Sequence, residues 1–128
     1  NALTVARWLE GRPEVESVSY PGLESSPDHD LAGKYLPNGC CGVISFVLSG
    51  GRERAAALLD ALEMVRIEVH VADSQTCALH PASSTHRQLT DDQLAAAGVG
   101  PGLVRLSCGL ESPEAIIADL EQALATIA

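Results

Sequence analysis

The stretch "GVISFVLSGG", residues 42–51, is apolar at successive positions and ends in two glycines. A short apolar run closed by turn residues predicts a central strand buried on both faces. Such a strand has to be covered, and the next segment supplies a cover. "RERAAALLDALEMV" places Leu58, Leu59 and Leu62 on one side of a helix.

The remaining pattern repeats this theme. "NALTVARWLEG" predicts a helix with Asn1 as its cap and Gly11 as its end, before Pro13. "VESVSYPG" predicts a strand. "SSPDHDLAGKYLPNG" predicts a helix over 27–36, with Ser26 as cap, Pro27 at the first helical position and Asp28 in the first turn. "VRIEVHVAD" alternates Val65, Ile67, Val69 and Val71 against Arg66, Glu68 and His70, which predicts a one-sided strand.

Thr90 and Gln93 stand at capping-box spacing ahead of a short helix closed by Gly98. "LVRLSCG" alternates again, with Val104, Leu106 and Cys108 opposite Leu103, Arg105 and Ser107. The final helix has Ser112 as cap, Pro113 at its first position and an apolar stripe of Ile116, Ile117, Leu120, Ala123, Leu124 and Ile127. Strands and helices in this order predict one α/β domain over residues 1–128, a small open sheet covered by helices.

Charge narrows the function. Seventeen acidic against eight basic side chains give a net charge of -9, the wrong sign for nucleic-acid phosphates. No apolar run is long enough to span a membrane. No dinucleotide, P-loop, nucleophile-elbow or zinc-protease motif is present. Gly50–Gly51 precede a helix, where a phosphate could sit, but are read as turn residues.

Cys40, Cys41, Cys77 and Cys108 have no zinc or disulfide spacing and are expected as free thiols in a cytoplasmic protein, with Cys40–Cys41 a less favoured redox pair. His80 and His86, in "LHPASSTHRQL", lack metal-ligand spacing, so no metal is expected and the loop should satisfy its own backbone. Arg105, inside an apolar strand, needs an anionic partner: either an internal carboxylate or a carboxylate ligand gripped by its planar fork.

"HPASSTHRQLTDDQLAAAGVGPGLVRLSCGLES" resembles the C-terminal segment of the pyridoxal-phosphate (PLP) enzymes of cysteine and methionine metabolism. "YPGLESSPDHDLAGKYLPNGCCGVISFVLSGG" and "NALTVARWLEGRPEVESVSYPG" are similar to earlier parts of the same domain, so the resemblance covers essentially the whole chain. It implies a mainly antiparallel sheet covered by helices, as in the small C-terminal domain of fold-type I PLP enzymes. The O-acetylhomoserine sulfhydrylase type is the best match, with cystathionine gamma-synthase and methionine gamma-lyase next. A stand-alone amino-acid-binding or interaction module is the reading from another class.

The resemblance implies a gamma-replacement in which sulfide displaces acetate from O-acetylhomoserine to give homocysteine. It assigns Arg105 to the substrate α-carboxylate, Thr85 to support of that site, and the backbone of His70 to close approach. It places PLP and the catalytic residues in a large domain absent from these 128 residues; Lys34 does not match the cofactor lysine. A homo-oligomer, a tetramer in the full-length enzyme, is implied as well. Ala72 stands where these enzymes more often have glycine.

Overall fold

The computed structural model describes residues 1–128. Helix α1 (Ala2–Glu10) leads to strand β1 (Val15–Ser19), α2 (His29–Tyr35), β2 (Val43–Leu48) and α3 (Gly51–Ala61). Two short strands follow, β3 (Arg66–Ile67) and β4 (Cys77–Leu79), then a 3-10 turn (Pro81–Ser83), α4 (Asp91–Ala96), β5 (Leu103–Ser107) and α5 (Pro113–Thr126). The strands form one sheet in the order β1-β2-β5-β4-β3. All neighbours are antiparallel except β3 and β4, so the mainly antiparallel α/β architecture is as expected.

One face of the sheet carries Ile44, Phe46, Leu48, Ala78, Val104 and Leu106 into the core. They meet Val5 and Leu9 of α1, Leu58 of α3, and Ile116, Leu120 and Leu124 of α5. Burying each of these large side chains contributes about 1.5–3 kcal/mol. The period of two sends Val43, Ser45, Val47, Leu103 and Arg105 to the other face, where they are only half-buried. β2 is therefore not buried on both sides, as its sequence predicts. It alternates buried and half-buried residues because α1, α3 and α5 all pack on one side.

The strand predicted over 65–71 is cut to Arg66–Ile67. Arg66 pairs with Cys77 and Ile67 with Ala78 in parallel, so residues 68–76 have to carry the chain back to the start of β4. A longer β3 would leave too little chain for that return. Val65 is buried, but Ile67, Val69 and Val71 stay more than half exposed.

The second helix is also shorter than predicted. Ser26 Oγ accepts from Asp28 N at 3.2 Å, which fixes a local turn. The first helical bond then runs from Ala32 N to Asp28 O, so Asp28 is the cap and Pro27 precedes the helix. The predicted capping box does form: Thr90 Oγ1 accepts from Gln93 N, and Gln93 Oε1 accepts from Thr90 N. Ser112 caps α5. Asn1 stands at the start of α1, yet its amide donates to Gly109 O and Glu111 O and so ties α1 to the β5–α5 connection.

Candidate substrate-carboxylate site

Arg105 sits at the middle of the less covered face. Its register partners are Ser45 on β2 and Leu79 on β4. One guanidinium nitrogen, Nη2, donates to Val69 O at 2.7 Å and to His70 O at 3.4 Å. Nε is shielded from water and has no acceptor. None of the chain's ion pairs involves Arg105, so the internal carboxylate allowed by the sequence is not its partner. A shielded donor without a partner costs about 1–3 kcal/mol, a cost removed when an acceptor arrives. The two carbonyls hold the planar group in one orientation, the arrangement suited to receiving a carboxylate.

The carbonyls belong to the loop 68–75, which is built around Ala72. Ala72 adopts φ +58°, the only non-glycine residue with a left-handed backbone. That conformation strains any residue with a Cβ, which gives physical meaning to the alanine at this position. Ser107 Oγ, on the same sheet face as Arg105, accepts from Ala72 N at 3.0 Å and holds the loop down.

Asp73 closes the turn by accepting from Gln75 N, and that bond first, then the Ser74 hydroxyl, keeps its carboxyl below the usual range. The His70 ring points to solvent, with Nδ1 3.2 Å from Glu68 Oε2. Glu68, His70 and Asp73 bring ligand atoms within 4.8 Å of one another, with Glu68 half-buried and the other two exposed. Burial first, then Asp73 and Glu68, pushes the neighbouring Cys77 thiol up and keeps it inert.

The histidine-rich loop leaves the sheet directly after Leu79, the register partner of Arg105. His80 is buried, with Nε2 2.7 Å from Pro101 O and Nδ1 2.8 Å from Ser83 Oγ. A carbonyl only accepts, so Nε2 carries a proton and donates to Pro101 O. This imidazole is structural. Thr85 is exposed, its hydroxyl 2.9 Å from His86 Nδ1. The structure joins Arg105 to the backbone of His70, whereas Thr85 bonds to neither. Val69, whose carbonyl makes the shorter bond to Arg105, was not foreseen; a backbone acceptor leaves no mark in the residue type.

The model of the Cys/Met metabolism PLP-dependent enzymes matches residues 1–125. The chain belongs to this family. An O-acetyl-L-homoserine sulfhydrylase of Leptospira meyeri is 44% identical over 128 residues, covering 99% of this chain and 29% of that protein. An L-methionine gamma-lyase of Treponema denticola is 45% identical over 124 residues, covering 97% of this chain and 31% of that protein. A solved structure of an O-acetylhomoserine (thiol)-lyase from Campylobacter jejuni, carrying an N'-pyridoxyl-lysine-5'-monophosphate, matches with a TM-score of 0.87 at 36% identity. That match covers 97% of this chain and 30% of the other.

The chain thus spans about 30% of the length of the relatives it matches. Members of this PLP-dependent family are enzymes, and these relatives include both sulfhydrylases and lyases. The residues present here do not themselves fit the cofactor. Lys34 is the single lysine; it lies exposed on α2 with its ammonium 5.1 Å from the Tyr35 ring. No helix is long and apolar enough to cross a membrane.

Proposed function

We propose that these 128 residues form the substrate-side domain of a longer PLP-dependent O-acetylhomoserine sulfhydrylase, and that Arg105 binds the amino acid's α-carboxylate. The observation that carries this reading is the guanidinium itself. It is half-buried, turned by the Val69 and His70 carbonyls, free of any internal carboxylate, and left with Nε unpaired. Thr85, on the loop that starts beside Arg105, supports the site from the β4 side.

PLP, when held by the rest of such a protein, supplies the electron sink for replacement at the substrate's gamma carbon. This domain contributes orientation. It fixes the carboxylate end, so that the reacting bonds point in one direction. The second substrate is sulfide, and the assembled enzyme is a homo-oligomer, a tetramer in this reading, working in the cytoplasm.

A methionine gamma-lyase is the second reading, because relatives of that name are 45% and 46% identical to this chain, as close as the sulfhydrylases. The intact gene product separates the two. The assay is homocysteine formed from O-acetylhomoserine and sulfide, run beside α-ketobutyrate released from methionine. A cofactor absorbance band with the first activity dominant supports the sulfhydrylase. Dominant methionine breakdown moves the chain to the lyases, and amino-acid binding without any cofactor band leaves a binding module.

A further inference from the structure

We propose that Arg52 is a positioning residue that sets the loop bearing Thr85 against the carboxylate site, an inference that rests on the reading of that site given above. Arg52 lies in the first turn of α3, remote in sequence from the loop. Its Nη1 donates to Ala82 O, and its Nη2 donates to Leu89 O at 3.3 Å. Nε and Nη2 both reach Asp91 Oδ1, at 3.2 and 2.8 Å. One guanidinium therefore grips both ends of the segment 82–91, with Thr85 between them.

Within the segment, His86 N donates to Pro81 O at 2.7 Å, Ser84 Oγ to His80 O at 2.7 Å and Leu89 N to His86 O at 3.0 Å, so the loop is coiled on itself and moves as one piece. Thr85 bonds only to its neighbour His86, and the His80 ring anchors the loop only at its start. The 3-10 turn Pro81–Ser83 packs on both α3 and β5, the strand of Arg105. The coiled loop is tied to the sheet through β4 and His80 at its start, and Arg52 is the side chain that ties its far end, Leu89–Asp91, to α3. A cation at a helix N-terminus is unfavourably placed in the helix dipole, and Asp91 offsets this. Only the fork of an arginine reaches three acceptors on two chain segments; a lysine ammonium reaches one of them well.

The test uses the intact gene product, with KM and kcat for the amino-acid substrate measured in Arg52→Gln, Arg52→Lys, Thr85→Ala and the Arg52→Gln/Thr85→Ala double variant. Arg52→Gln is expected to raise KM about tenfold or more, the scale set by one displaced hydrogen bond to a charged group. Turnover stays within about twofold, and Arg52→Lys does not restore KM. The double variant is no worse than Thr85→Ala alone, because Arg52 acts through Thr85. A loop that only stabilised the fold would lower melting temperature and active fraction with KM unchanged, and that result overturns the proposal. So does full rescue by lysine, or multiplied effects in the double variant. Arg105→Ala is measured alongside. If it leaves KM unchanged, the site reading itself fails; if it raises KM while Arg52→Gln does not, only the role of Arg52 fails.

Discussion

Asp119 offers a stability prediction that the structure makes quantitative. It is buried on α5, where its two carboxylate oxygens accept from Glu63 N, Met64 N and Val65 N at 2.8–2.9 Å, and from Gln122 Nε2 at 2.9 Å. These bonds pin the chain as it leaves α3 for β3 and for the loop whose carbonyls orient Arg105. Burial pushes the carboxyl up, but the bonds from Val65, Glu63, Gln122 and Met64 together outweigh it and hold it below the usual range.

Asp119→Asn keeps the shape and turns an amide donor toward N–H groups at one oxygen position. Each oxygen serves two donors, so about two charge-assisted bonds are lost, a cost of about 3 kcal/mol. In a domain of this size that lowers Tm by roughly 10 °C. The sign of the pH effect follows from the depressed pKa. The carboxylate's contribution is complete above the unfolded value near ~4 and is lost as pH falls through the lower folded value. Thermal unfolding followed by circular dichroism at pH 7 and at successively lower pH measures both. A loss below about 1 kcal/mol at pH 7, or a gap between variants that stays constant into acid, would refute the reasoning.

Other perturbations test neighbouring parts of the structure. Ala72→Gly relieves a left-handed alanine and is expected to stabilise the chain by up to about 1 kcal/mol, read as a denaturation midpoint; destabilisation would argue against the backbone described for this loop. At Gly109 a Cβ would lie 2.4 Å from Ser74 O and 2.6 Å from Thr76 N, so Gly109→Ala is expected to cost about 3 kcal/mol, and an unchanged midpoint would contradict that packing. Burial pushes the Cys108 thiol up to about 11 and Cys77 is buried, whereas Cys41 is exposed, so alkylation at pH 8 should label Cys41 before either of them. Mass spectrometry of a labelling time course gives the order, and labelling of Cys77 or Cys108 ahead of Cys41 would count against these environments.

Much of the fold was legible because local signals agreed with the tertiary solution. The capping residues Thr90 and Ser112 and the alternation around Arg105 each specify one element without help from distant chain. The two shortened elements failed for nonlocal reasons. The alternation from Val65 to Val71 is real, but the parallel pairing of β3 with β4 leaves those residues to make a return loop. Ser26 carries a helix-cap signal that a local turn claims first.

The geometry around Arg105 was legible in part for the same reason. An arginine in an apolar strand is visible as a sequence anomaly, and Ala72 stands where the resemblance implies glycine, while its φ of +58° comes only with the fold. The Val69 and His70 carbonyls, the Ser107 clamp on Ala72 and the grip of Arg52 on the loop depend on which loops meet the sheet. Asp119 was not singled out in the sequence, although a carboxylate set within the apolar stripe of α5 is the mark that a buried anchor leaves there.

The central claim is that Arg105 holds a carboxylate. The most direct measurement is the dissociation constant of the intact gene product for a substrate-like amino acid and for its carboxamide, in the wild type and in Arg105→Ala. Removing one partner of a shielded, hydrogen-bonded charge pair costs about 2–5 kcal/mol, so the amino acid should bind at least about thirtyfold more weakly to the variant. The carboxamide should bind the two proteins nearly equally. Equal loss for both ligands, or no loss for the amino acid, would contradict the assignment of Arg105 to the carboxylate.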